Sequence, residues 1–188
     1  MTLPPQRPHI RAQANELIDF LTHLQRTDNR GALAVLKKSL TSHEASRMRA
    51  WQMLVKYHGL PDPSDPRSLY QAEVVRVIAG LFCLPNLYHF EKAGNFGKTC
   101  RTLLDDEERK TLYDPEKLGP LSRRFLLLLA ADQEEITERT VRIARRISQK
   151  KTALNFITLY EDLYFWGSSV KNQWAAGFWN ARDTEVEP

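Results

Sequence analysis

The chain has 188 residues, enough for one domain or two small ones with a substantial buried core. Its 42% hydrophobic and 27% charged residues exclude a disordered or collagenous chain, and its two cysteines are too few for a disulfide scaffold. The formal net charge of +4, from 27 Lys and Arg against 23 Asp and Glu, is too small to identify a partner, so the distribution of charge matters more.

The sequence contains neither a candidate membrane span nor a secretory signal. The longest apolar run, 125–131, is far shorter than the roughly 20 residues that cross a bilayer. The opening residues MTLPPQRP lack the apolar core of a signal peptide. We therefore expect a cytoplasmic protein that contacts no membrane and keeps both thiols reduced.

The first half of the chain has the periodicity of four helices. One face of the first helix carries apolar residues at intervals of three and four. These residues are Ile10, Ala14, Leu17, Ile18, Leu21 and Leu24. A second helix covers 32–40, and Thr41 with Glu44 fits a capping box for a third helix, which stops at Gly59. Ser68 is predicted to open a fourth.

The remaining chain is also predicted to be helical. The strand-like stretch 74–78 lies within a longer helical pattern, 98–104 is a short helix, and 105–119 is a polar surface insertion. The stretch 121–131 is apolar nearly all round, which predicts a centrally buried helix. Three further helices have apolar faces, formed by Ile136, Val141, Ile143, Ala144 and Ile147, by Leu154, Ile157, Leu159, Leu163 and Trp166, and by Val170, Trp174 and Phe178.

These patterns predict an all-α fold, a two-lobed helical bundle of about eight helices with no sheet. We expect an N-terminal helical lobe over 1–87 and a connection over 88–97. A C-terminal helical bundle over 98–182 and a frayed tail over 183–188 complete the prediction.

No arrangement of residues indicates a metal site, a cofactor or a catalytic nucleophile. No two of the five histidines lie three to five residues apart, and none neighbours Cys83 or Cys100. A Gly-x-Ser-x-Gly elbow is absent from the sequence. The four acids of 105–108 form a continuous polar run, which is typical of a solvated face. We therefore predict a protein that is not an enzyme and has no small-molecule substrate.

One motif keeps an enzymatic alternative open. Gly97-Lys98-Thr99 matches the end of a phosphate-binding loop, in which backbone N–H groups and a lysine hold a nucleotide. Such a loop needs a glycine where this chain has Lys92. A nucleotide hydrolase is therefore a minor alternative, whereas Lys98 and Arg101 after two glycines also fit a small anion site.

The clearest functional pattern is a run of cations in the helix that starts near Ile136. No acid occurs among these cations, which are Arg139, Arg142, Arg145, Arg146, Lys150 and Lys151. At about 100° per residue, four of them fall within roughly 80° of one another beside an isoleucine face. Like charges one turn apart repel. We therefore expect a polyanion on this face and predict contacts with nucleic-acid phosphates.

The aromatic residues of the C-terminal half allow a further alternative. Trp51, Trp166, Trp174 and Trp179, with Tyr164, Phe165 and Phe178, could stack on bases, but helical spacing favours core positions for them. An aromatic C-terminal helix could also dock a partner, which would make the chain a protein-only adaptor.

Several segments in one order resemble the CasB family, the small subunit of the type I-E CRISPR complex called Cascade. They are GALAVLKK (31–38), AGLFCL (79–84), FGKTCRTL (96–103), LSRRFL (121–126), IARRI (143–147), LYEDLYFW (159–166) and WAAGFW (174–179). The last two are the most specific of the set.

The resemblance implies an all-α subunit without catalytic activity, which acts in antiviral defence. It implies four kinds of partner: the other Cascade subunits, a second copy of the chain, the guide RNA and the target DNA. It also implies that the subunit holds the displaced DNA strand by its backbone and thereby stabilises the R-loop. The cations at matching positions are Lys37 and Lys38, Lys98 and Arg101, Arg123 and Arg124, and Arg145 and Arg146.

Overall fold

The computed structural model describes residues 7–41, 43–59 and 61–180, and within these ranges the chain forms ten α-helices and two short strands. The helices are α1 (Arg7–Arg26), α2 (Arg30–Lys38), α3 (Glu44–His58), α4 (Pro66–Phe82), α5 (Phe96–Arg101), α6 (Asp106–Lys110), α7 (Pro120–Ala130), α8 (Ile136–Ile147), α9 (Phe156–Tyr164) and α10 (Ser168–Trp179). The strands are β1 (Leu87–His89) and β2 (Thr152–Leu154), and a 3₁₀ turn covers Glu91–Ala93. The predicted tail over 183–188 lies outside the described residues.

The long amphipathic helices follow the predicted periodicity. All six apolar residues predicted for the first helix are buried in α1, which packs along α9. Val170, Trp174 and Phe178 are likewise buried on one face of α10. The strand-like stretch 74–78 is helical and wholly buried within α4, which confirms that its apolar run belongs to a central helix.

The prediction of no sheet is wrong, because β1 and β2 pair in parallel. Leu87 lies opposite Thr152, Tyr88 opposite Ala153, and His89 opposite Leu154. Each strand has only three residues, and about sixty residues of chain separate them. Local periodicity therefore holds no signal for this pairing. The protein is mainly helical with one small two-stranded ribbon.

Two predicted helix starts differ from the structure. His43 precedes α3 and makes no side-chain cap, while the Thr41 hydroxyl donates to the Lys38 carbonyl, so the predicted Thr41–Glu44 capping box is wrong. The Asp65 carboxylate accepts from the backbone N–H of Arg67, so α4 begins at Pro66 rather than at Ser68.

The helix α7 is amphipathic, although it was predicted to be buried all round. Phe125 and Leu128 are fully buried, whereas Leu126 and Leu127 are 42% and 57% exposed. The preceding insertion over 105–119 is also more than a surface excursion. It contains α6 and buries Leu112, and Glu108 accepts from the N–H of Leu121 at 2.8 Å at the start of α7.

Helices from both predicted lobes contribute to one cluster of buried apolar side chains. Within that cluster α1 packs on α9, and α4 packs on both α8 and α9. The division into two lobes stays a prediction. In the described part of the chain, every helix is too short or too polar to traverse a lipid bilayer.

Candidate nucleic-acid interface

A groove of about 640 Å³ runs between α7 and α8. Five arginines line it: Arg124, Arg139, Arg142, Arg145 and Arg146. Leu127, Ile143 and Gln149 complete its apolar and amide surface. We call this space the arginine groove. It brings together five of the twelve cations that the sequence singled out.

The arginine groove exists because α8 sorts its side chains by face. Ile136, Ile143 and Ile147 are buried, as the isoleucine stripe predicted, and they fix the helix against the core. Since the arginines occupy positions that point away from that stripe, Arg139, Arg142 and Arg146 line the space between α8 and α7, whereas Arg145 also reaches the turn after α2. The packing of α7 against α8 then adds Arg124 from the opposite wall.

No carboxylate lies within the cationic run 139–151, but two glutamates just before it pair with its first two arginines. Glu135, the residue before α8, pairs with Arg139 at 2.8 Å, and Glu138 in the first turn of α8 pairs with Arg142. The members of each pair are four residues apart. Both carboxylates also line the arginine groove. Five arginines against two glutamates leave a charge of +3 in the groove. Exposed pairs of this kind contribute at most about 1 kcal/mol, so a phosphate can displace them.

The five arginines differ in how firmly they are held. Arg139 also donates to the Leu127 carbonyl at 2.7 Å, and Arg145 donates to the Leu40 carbonyl at 2.9 Å, which ties α8 to the turn after α2. Arg124 and Arg146 are exposed and make no ion pair with another described residue. These two side chains are therefore the most available to an external anion.

The other predicted cations lie outside the arginine groove. Arg123 is exposed on α7 but does not line the groove, and Lys37 and Lys38 are exposed at the end of α2. Lys150 and Lys151 are exposed just before β2. The sequence could not show which of the adjacent Arg123 and Arg124 lines the groove, because only the packing of α7 decides which of them faces α8.

The cations of α5 have structural neighbours rather than an open anion site. Arg101 donates to the Phe178 carbonyl at 2.9 Å, near the end of α10. Lys98 is exposed, but its backbone N–H is bonded to the Asn95 side chain at 3.0 Å. The start of α5 is therefore capped from within the chain, and the predicted anion site is not formed by its backbone.

The geometry around Gly97 and Thr99 argues against a nucleotide-binding loop. Both residues are buried within α5, where Gly97 lies against the backbone of Trp174. A phosphate loop needs free backbone N–H groups and an accessible hydroxyl. Here the glycine permits close packing of α5 on α10. Among the described residues, no three His, Cys, Asp or Glu side chains converge as metal ligands.

The tryptophan-rich C-terminal segments form core, as helical spacing favoured. The Trp174 indole N–H donates to the Asp162 carboxylate at 2.6 Å, and the Trp166 indole N–H donates to the Ala131 carbonyl at 3.0 Å. The sequence reasoning missed Tyr88 and Phe90, whose side chains are about half exposed. The sequence LYHF over 87–90 gave no clear signal, because apolar or aromatic residues fall on both faces of the strand.

The fold and the arginine groove define a mainly helical protein that presents a cationic cleft. A family model described as CRISPR-associated protein Cse2 matches residues 32–179. The chain therefore belongs to the Cse2 family, which confirms the resemblance to CasB, and it is a structural subunit of a CRISPR Cascade complex with other Cascade subunits as partners. No curated protein and no solved structure matches the chain.

Proposed function

We propose that this Cascade subunit holds the sugar-phosphate backbone of single-stranded nucleic acid in the arginine groove and thereby stabilises the R-loop in antiviral defence. The observation that carries the proposal is the convergence of five arginines, with only two exposed carboxylates between them. The subunit acts by binding, without a catalytic step.

The chemistry of the arginine groove suits phosphate. A guanidinium group presents N–H donors in a planar fork that matches two phosphate oxygens, and several such forks along α8 can follow a backbone. Phosphate contacts carry no base information, so binding is independent of sequence. Because R-loop exchange is nearly balanced in free energy, a few backbone contacts suffice to shift it toward the open state.

We take the displaced DNA strand as the ligand, as the resemblance to CasB implies, and its phosphates are the groups that the arginine groove can bind. We assign the cations outside the arginine groove to neighbouring contacts. Lys37 and Lys38, Arg123, and Lys98 are exposed positions for the guide RNA, the target DNA or a second copy of the chain. In the proposal, these cations contact other components of the Cascade complex.

Charge reversal in the arginine groove tests the proposal. In the triple variant Arg124→Glu, Arg142→Glu and Arg146→Glu, we expect weaker binding of the purified protein to an oligothymidine. Arg145 is left unchanged because it holds the Leu40 carbonyl. Loss of three phosphate contacts should make the slope of log affinity against log salt less negative by about 2. Fluorescence anisotropy over a salt series measures the slope.

A matched control separates the groove from overall charge. Reversing Arg26, Arg49 and Lys56, which are exposed and are assigned to no nucleic-acid contact, changes the net charge by the same amount but leaves the arginine groove intact. We expect this variant to retain most of the slope. Equal slopes in the two triple variants would show that the ligand does not distinguish the groove from the rest of the surface, which contradicts the proposal.

The carboxylates of the arginine groove should oppose binding. In the double variant Glu135→Gln and Glu138→Gln, the guanidinium groups of Arg139 and Arg142 lose their partners on α8. Because each exposed pair contributes at most about 1 kcal/mol, we expect oligothymidine affinity to rise by up to about fivefold per pair. Glu134→Gln, an exposed neighbour outside the arginine groove, is the control and should have a smaller effect.

A further inference from the structure

The two strands expose an aromatic surface that the arginine groove does not use. Tyr88 and Phe90 are 46% and 48% exposed, while Leu87 is buried. Successive side chains of a strand point to opposite faces, so Tyr88 and Phe90 lie on the same outward face. Most large apolar side chains of the described residues are buried. Two half-exposed rings on one short strand therefore need an explanation.

The neighbouring strand leaves these rings uncovered. Tyr88 pairs with Ala153, whose methyl group is too small to shield an aromatic ring. Lys151 precedes Ala153 by two residues, and the same alternation places it on the outward side of the ribbon. Lys92 and Lys150 are also exposed and lie near the strands in the sequence, but Glu91 adjoins Lys92, and Asp105 and Glu108 line the same cavity as Lys150. Lys151 is therefore the cation that the strand register places beside the rings.

This surface continues from the arginine groove. Arg146 and Lys150 line one small cavity of about 200 Å³ at the end of α8, together with Asp105 and Glu108. The Asn86 side chain, just before β1, donates to the Ser148 carbonyl at 3.1 Å, which fastens the ribbon to the end of α8. Residues 148–151 connect the end of α8 directly to β2, which gives a nucleic-acid strand that leaves the arginine groove past Arg146 a short route to the exposed rings.

We propose that the outward face of the β1–β2 ribbon is a base-stacking platform for single-stranded nucleic acid. The rings of Tyr88 and Phe90 receive bases, and Lys151 neutralises the adjoining phosphates. Residues two apart on a strand are separated by about 6.6 Å, twice the 3.4 Å between stacked bases, so there is room for a base between the rings. The proposal rests on nucleic acid being the ligand of the arginine groove, but its chemistry is different.

The lysine beside the rings favours nucleic acid over a protein partner as the occupant. Aromatic rings combined with cations are the combination that sequence-tolerant binders of single strands use, because every base has an aromatic face. A purely apolar partner surface would leave Lys151 without a counter-charge. The platform therefore adds contacts to bases at positions where the arginine groove holds only phosphates.

An abasic ligand separates the two kinds of contact. We expect the double variant Tyr88→Leu and Phe90→Leu to bind a 15-residue oligothymidine about tenfold more weakly than the unmodified protein. The same variant should bind an abasic oligomer of equal length nearly as well as the unmodified protein does. Reversal of Arg142 and Arg146 should instead weaken binding to both oligomers. Circular dichroism checks that the variants fold.

Tyr113→Leu is the matched control. Tyr113 is 62% exposed, and the nearby Lys110 and Lys117 are paired with Glu107 and Asp114, so we expect no loss of binding. Equal losses on both oligomers, or no loss on either, would overturn the platform while leaving the arginine groove in place. Unchanged DNA binding with failure of the variant to assemble into Cascade would assign the rings to a protein partner. Failure of the unmodified protein to bind either oligomer would overturn both proposals.

Discussion

Replacing Gly97 with alanine is expected to destabilise the protein by about 3 kcal/mol. A Cβ at this position would lie 2.0 Å from the carbonyl oxygen of Trp174 and 2.8 Å from its carbonyl carbon. Both neighbours are backbone atoms of α10, so α5 and α10 would have to separate. The better helix propensity of alanine, about 1 kcal/mol, offsets only part of this cost. Urea denaturation followed by circular dichroism measures the difference.

Gly31→Ala is the control for this prediction. In α2 the added Cβ would meet only the Asn29 side chain, at 3.9 Å, so its stability should be unchanged or slightly higher. The comparison also tests the alternative of a nucleotide hydrolase. If Gly97 belonged to a phosphate loop, alanine would abolish nucleotide binding and leave the stability close to that of the unmodified protein.

The helical part of the fold could be predicted because its signal is local. In α1, α8 and α10 the apolar residues recur at helical intervals, and a helix that buries one face must present those residues to the core. The buried residues of α1 match the predicted set residue for residue. The residues between them are mostly polar and would be buried if the helix were rotated about its axis, so only one face can pack against the core.

The elements that the sequence did not predict depend on contacts between distant segments. The pairing of β1 with β2 requires α8 and the turn at Asn86 to bring the two strands together. The leucine run of α7 contains no polar residue, so the only local mark of its exposed side is Arg123 and Arg124, one turn earlier. Leu126 and Leu127 lie on that side, and the neighbouring helices contact the opposite face.

The candidate site was predictable in its chemistry and not in its geometry. The cations of α8 were apparent as a run, but Glu135 and Glu138 lie just before that run, where the four-residue spacing of helical ion pairs would have identified them. The contribution of Arg124 depends on the packing of α7 against α8, which no local pattern encodes. The structure thus reduces twelve candidate cations to five that converge.

The buried carboxyl of Asp162 connects the most specific segments of the family resemblance. Asp162 on α9 is 5% exposed and accepts from the indole N–H of Trp174 on α10. Burial raises the pKa of Asp162 to about 6, whereas the hydrogen bond from Trp174 lowers it. The charge of Glu161 raises this pKa further, and that of Arg7 lowers it. The carboxyl is thus held in the core by one strong donor but is costly to ionise there.

Asp162→Asn is therefore expected to remove a pH dependence of stability. In the unfolded chain the carboxyl titrates near 3.8, so between about pH 4 and pH 6 the folded protein binds the extra proton. Stability should consequently fall as the pH rises through this range and level off above about pH 7. Two units of pKa correspond to about 3 kcal/mol, which is the upper limit of the gain for Asp162→Asn at pH 8. Near pH 4 the difference should disappear.

Asp162→Ala separates the charge from the hydrogen bond. Alanine also removes the titration, but it leaves the buried indole N–H of Trp174 without an acceptor, which costs about 1 to 3 kcal/mol relative to asparagine at every pH. Urea denaturation at pH 4, 6 and 8 distinguishes the three proteins. Parallel pH curves for the unmodified protein and Asp162→Asn would mean that the carboxyl is ionised in the core at little cost, and that Trp174 alone accounts for its place between α9 and α10.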